Sequence, residues 1–164
     1  MTEICKTQII EGAIPTEEAL ILYDYLKDSV SWVESIKSRK DRTNGGFTRM
    51  GCAIDINEYP DIRKIVNDII SKIKKSANHK DYLIASTYLN FYKDGSWWSP
   101  NHTHEKMHSL VISLGTTRNF VLGKKIIEVK NGDAVIFGSA IHGIPKQPEV
   151  KDGRISIAVF LVPL

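Results

Sequence analysis

The chain has 164 residues, 42% of them hydrophobic and 25% charged, with 22 Lys and Arg against 19 Asp and Glu for a formal charge of +3. This length suits one domain, 1–164, with a full core, and the ordinary composition excludes disordered and low-complexity classes. No apolar run approaches the roughly 20 residues of a membrane span, and the small positive charge permits a polyanionic partner without demanding one.

The N-terminus shows no charged-then-apolar leader pattern, and Cys5 and Cys52 have no framework spacing. Reduced thiols in an intracellular protein, cytoplasmic or nuclear, are therefore expected. Pro15, Thr16, Glu17 and Glu18 open a helix, because an early proline and first-turn acids match the helix dipole. Leu20, Tyr23 and Leu26 carry it at helical spacing to about Ser29. Trp32, Val33 and Ile36 suggest a short strand. The basic run 37–42 leads into Asn44-Gly45-Gly46, either a solvated loop or a basic lid over a nucleic-acid site. Residues 47–56 suggest a strand pair.

Pro60 and Asp61 begin the clearest helix: Ile62, Ile65, Val66, Ile69, Ile70 and Ile73 form one apolar face. Lys72, Lys74, Lys75 and Lys80 decorate its far end. From residue 82 the pattern turns to strands, at 82–92, 109–115, 119–122, 125–129, 134–137 and 154–162. The turn signals Gly123-Lys124 and Asn131-Gly132 fall between them. The expected architecture is mainly β within an α+β class, with a helical and lid region over 1–81 and a strand-rich core over 82–164.

Residues 90–104 hold the densest set of chemically capable side chains. His102 and His104 are two apart, and extended backbone would send both imidazoles to one face. Asn90 and Tyr92 repeat that spacing, and His142 follows a Gly132-Asp133 turn. Three histidines are a metal-site pattern that leaves coordination positions open, with His108 as a possible fourth ligand. Arg154 opens an apolar strand, where a charge needs an anionic partner, either a protein acid or a bound carboxylate. Ser156 shares its face.

Together these residues resemble the AlkB-type branch of the 2-oxoglutarate- and Fe(II)-dependent dioxygenases. The motifs are Asn90-x-Tyr92-x-x-Gly95, His102-x-His104, Ser113-x-Gly115 with Arg118-x-Phe120, Gly132-Asp133, His142 and Arg154-x-Ser156. The resemblance covers about the C-terminal half. It implies a double-stranded β-helix (jelly-roll) core, Fe(II) held by His102 and His142, and 2-oxoglutarate held by Arg154 with Asn90 and Tyr92. Oxidative demethylation of an alkylated nucleobase in DNA or RNA would follow, with Trp97, Trp98, Arg49 and Glu105 as candidate substrate contacts.

Two departures stand out. His104 replaces the family's carboxylate ligand, with Glu105 a rival for that place. Phe160 stands where the family carries a second arginine. The cupins, which share the fold, also resemble Gly95, His102, His104, His108 and Gly115. They would imply a metal enzyme acting on a small molecule, and a binding module without turnover is a further alternative. Protein substrates stay open as well.

Overall fold

Helix α1 (Thr16–Ser29) follows Pro15, carries Glu17 and Glu18 in its first turn and Lys27 in its last. The structure, a computed structural model, describes residues 7–34, 49–73, 81–104 and 106–164. The basic run 37–42, the Asn44-Gly45-Gly46 turn, Cys5, Lys74, Lys75, Lys80 and Glu105 lie outside the described residues. The buried stripe of α1 is Ala19 and Leu26, with Leu22 and Tyr23 packed beside them. Leu20, expected on that stripe, faces out at 44% exposure, because Ala19 takes the place nearest the sheet.

Helix α2 (Pro60–Lys72) has proline in its first turn. Ile62, Val66, Ile69 and Ile70 are buried as their spacing predicts, with Ile65 partly buried. Each such side chain contributes about 1.5–3 kcal/mol on burial.

The strands are β1 (Gln8–Ile10), β2 (Val33–Glu34), β3 (Met50–Ile54), β4 (Tyr82–Tyr92), β5 (Ser99–His102), β6 (His108–Gly115), β7 (Arg118–Leu122), β8 (Lys125–Val129), β9 (Ala134–Phe137), β10 (His142–Ile144) and β11 (Arg154–Pro163). They form a seven-stranded sheet, β1-β9-β6-β11-β4-β3-β2, and a four-stranded sheet, β5-β10-β7-β8. Every described pairing is antiparallel. This is the mainly β jelly roll with flanking helices that the sequence leads one to expect. Residues before 82 also supply β1, β2 and β3 to the larger sheet.

Alternation along the strands builds two cores. Leu89, Phe91, Leu110, Ile112, Leu114, Ile155, Ile157, Val159 and Leu161 face the helices. Tyr92, Val111, Val135 and Phe137 point the other way, toward Phe120, Leu122 and Ile144 of the smaller sheet. With both faces covered, β6 and β9 are buried almost throughout, which is why β9 reads as an unbroken apolar run and β6 as an apolar run broken only by His108, Ser109 and Ser113.

Strands β1, β5 and β10 carry no usable sequence signal: each has three or four residues, and β5 contains Pro100. That proline is tolerated because β5 is an edge strand. Gly132 turns with φ +92, and the buried Asp133 carboxylate accepts from the Lys130 and Gly12 backbone N–H groups at 2.9 and 3.0 Å. No helix among the described residues is long and apolar enough to cross a membrane.

Candidate metal and anion site

The inner face of the larger sheet is a set of rows across β4, β11 and β6. Tyr92, Arg154 and Gly115 make one row; Asn90, Ser156 and Ser113 the next; then Tyr88, Ala158 and Val111; then Ser86, Phe160 and Ser109. Most of these side chains line a cavity of about 280 Å³ between the two sheets. The imidazoles stand at the Phe160 end: the His104 ring meets Phe160 at 5.0 Å and the His142 ring meets Phe137 at 4.6 Å.

His102 and His142 are register partners on β5 and β10. The Nδ1 of His102 lies 2.8 Å from the Pro100 carbonyl, and the Nδ1 of His142 lies 3.0 Å from the Ala140 carbonyl. A carbonyl only accepts, so both Nδ1 atoms carry the proton and both Nε2 lone pairs are free for a metal. His104 lies beyond the end of β5, so strand parity is not what aims it. The His104 ring still comes within 4.9 Å of the His102 ring and 5.2 Å of the His142 ring. One ligand atom from each of the three residues lies within 4.8 Å of the others.

Burial lowers the His142 pKa to about 4, and the neighbouring His102, His104 and Arg49 charges act in the same direction. Burial also lowers that of His104, with His102 and Arg49 adding to it. Neutral imidazoles at ordinary pH are the form that binds a metal.

Arg154 is 1% exposed. It donates from Nη2 to Ser113 Oγ at 2.9 Å, while its Nε is buried without a partner. Among the described residues no carboxylate pairs with it. Burial lowers its pKa to about 10, the nearby Tyr92 opposing and Arg118 reinforcing the shift, so it stays cationic at neutral pH. Beside it Asn90 donates from Nδ2 to Ser156 Oγ at 3.3 Å, and its buried Oδ1 has no partner. A buried cation without an anion, next to further unpartnered polar atoms, fits a carboxylate ligand.

The structure brings His102, His104, His142, Asn90, Tyr92, Arg154, Ser156 and Arg49 to one cavity. Trp97 and Trp98 do not line it: Trp97 packs against the second core and Lys93, and Trp98 lies under Lys146. His108 is on the larger sheet at Tyr82, outside the three-histidine cluster. Glu105 lies outside the described residues.

Sequence reasoning missed Ser99 and Tyr88, both of which line the cavity. Tyr88 was legible in principle, two residues before Asn90 on the same strand face. Its ring lies across Gly51, where an added Cβ would fall 2.3 Å from the Tyr88 hydroxyl. Ser99 was not legible. It is three residues from His102, which on a regular strand means the opposite face, but an irregularity pairs His142 with His102 and Ile144 with Ser99. That slip turns Ser99 inward.

No family model and no curated protein matches the chain. Solved structures do. HygX from Streptomyces hygroscopicus with nickel and 2-oxoglutarate bound is similar at TM-score 0.72 and 10% identity, over 98% of this chain and 84% of that one. A prolyl hydroxylase from Trichoplax adhaerens in complex with a hypoxia inducible factor peptide fragment gives 0.68 and 11%, over 96% and 83%. OsALKBH1 gives 0.65 and 13%, over 94% and 97%. At these identities the likeness is one of fold: the double-stranded β-helix of the 2-oxoglutarate–Fe(II) oxygenases.

Proposed function

We propose that this chain is an Fe(II)- and 2-oxoglutarate-dependent oxygenase, and that its reaction is oxidative demethylation of an alkylated nucleobase in DNA or RNA. One observation carries the first part. A wholly buried arginine with an unpartnered Nε shares a cavity with three imidazoles poised around one point. A cupin acting without a cosubstrate has no use for that arginine.

His102, His104 and His142 would hold the metal, and Arg154, Asn90, Tyr92 and Ser156 the dicarboxylate. Bound iron and 2-oxoglutarate supply the oxidation of a C–H bond by O2 coupled to loss of CO2, and a hydroxylated N-methyl group leaves as formaldehyde. Phe120, Phe137 and Phe160 make the imidazole end of the cavity apolar and limit water there. The Nδ1 tethers of His102 and His142 fix ring orientation before any metal arrives.

Three features support the nucleic-acid part: the AlkB-type motif order, the fold likeness to OsALKBH1, and Arg49 on the cavity wall. Tyr88, not the tryptophan pair, is the aromatic residue placed to meet a base.

An anaerobic titration with Fe(II) and 2-oxoglutarate tests the first part through the visible metal-to-ligand charge-transfer band; no band means no such cosubstrate. The substrate is tested by binding of a methylated oligonucleotide, whose affinity should fall steeply with salt as counterions are released. Absence of binding at low salt would favour a peptide or small molecule. His104→Ala should lose most metal affinity and Glu105→Ala little, whereas His104→Asp should retain the metal. The opposite pattern would give the third ligand position to Glu105.

A further inference from the structure

Ser99 is 4% exposed and lines the cavity. Its Oγ accepts from the Tyr92 hydroxyl at 3.2 Å and from the Ile144 backbone N–H at 3.3 Å. A serine hydroxyl has two lone pairs and one proton. Both lone pairs are engaged, so the remaining proton has to go to something else, and the cavity is the open direction. Tyr92 in turn is held between two guanidinium groups, those of Arg118 and Arg154, each 5.6 Å from its ring centroid. The Ser99 proton and the unpartnered Arg154 Nε–H thus border the same phenol. Ser99 also shares β5 with His102, so one strand would carry a metal ligand and a cosubstrate donor.

We propose that Ser99 is a direct hydrogen-bond donor to a carboxylate of the cosubstrate, and that Tyr92, named above among the residues holding the dicarboxylate, does so as a positioning residue that orients the Ser99 hydroxyl. This rests on the oxygenase reading above. It assigns to Ser99 a role that neither its sequence context nor the AlkB-type motif set contains. The two hydroxyls hold two protons and share one hydrogen bond, so the pair offers the ligand one donor. The shared hydrogen bond runs from Tyr92 to Ser99, so the donor left over is the serine's.

The test is calorimetric titration of 2-oxoglutarate into Ni(II)-loaded wild-type, Ser99→Ala and Tyr92→Phe proteins, with Ni(II) affinity measured alone as a control. Ser99→Ala is expected to raise the 2-oxoglutarate Kd about tenfold, as loss of a hydrogen bond to a charged group does. Its Ni(II) affinity should stay within about twofold of wild type, since the ligands and their Nδ1 tethers are untouched. Tyr92→Phe is expected to raise Kd less, because Ser99 keeps its proton. If Ser99→Ala does not fold, the near-isosteric Ser99→Cys, a much weaker donor, carries the same expectation. An unchanged 2-oxoglutarate Kd, a parallel fall in Ni(II) affinity, or a larger loss in Tyr92→Phe than in Ser99→Ala would each overturn the assignment. Failure of the wild-type protein to bind 2-oxoglutarate would instead sink the oxygenase reading, and this inference with it.

Discussion

Arg118 and Arg154 are both wholly buried, at 0% and 1% exposure, and both lie 5.6 Å from the centroid of the same Tyr92 ring. Their surroundings differ in one respect. Arg118 gives four hydrogen bonds to neutral oxygens: Gln147 Oε1 at 3.1 Å and the carbonyls of Asp94, Trp97 and Pro145 at 3.1, 2.8 and 2.9 Å. Arg154 gives one, to Ser113. The first is a hub that ties loop 93–98 to loop 145–153. The second is an incomplete cation in a cavity. Burial alone does not mark a functional arginine; what marks it is hydrogen-bonding capacity left unused where water cannot reach.

The largest expected effect breaks the hub. Arg118→Met leaves the part-buried carbonyls of Asp94, Trp97 and Pro145 without this donor, while Gln147 Oε1 keeps the Asn119 N–H, and should cost at least about 3 kcal/mol of stability. Equilibrium unfolding in urea measures it; a midpoint equal to wild type would remove Arg118 from the structural side of the comparison.

The next effect belongs to the cavity side and is read from pH. The His142 imidazole titrates near 6.5 unfolded and near 4 folded. Between those values the unfolded chain holds more protons, so the stability of the metal-free protein rises with pH there. The contribution is complete above about 6.5, declines as pH falls to about 4, and amounts to about 3 kcal/mol at most. Unfolding free energies across this range should show a shallower slope in His142→Phe than in wild type; equal slopes would show that His142 is not the group responsible.

Arg154→Met sharpens the comparison from the other direction. Removing an unpaired buried charge should leave stability unchanged or raised, while 2-oxoglutarate affinity falls at least about tenfold. Thermal unfolding and cosubstrate titration together decide it: a destabilised protein with normal cosubstrate binding would make Arg154 a second structural hub. The smallest effect is that of Ser113→Ala, which frees one Arg154 N–H. It should weaken cosubstrate binding by about 0.5–1 kcal/mol with little change in stability, seen in the same titration.

Periodicity in the sequence determined much of this protein. Two helices, six strands from 82 onward and the two-faced character of the larger sheet follow from apolar spacing, since that spacing sets which side chains can be buried together. Three histidines, Asn90, Tyr92 and Arg154 were legible as a chemical set because their residue types are costly to bury without a use. Other features were decided only by the tertiary structure. Strands β5 and β10, which carry His102 and His142, are too short to announce themselves and exist because they pair with each other and with β7. His104 converges with them from beyond a strand end, and Ser99 faces inward through a register slip, so neither obeys local parity. The tryptophan pair is off the cavity and Tyr88 is in it, a choice set by how two sheets close on each other. Arg118 and Arg154 are alike in the sequence, each opening a strand. Which of them is satisfied depends on carbonyls from loops 21–27 residues away that only the folded chain brings near.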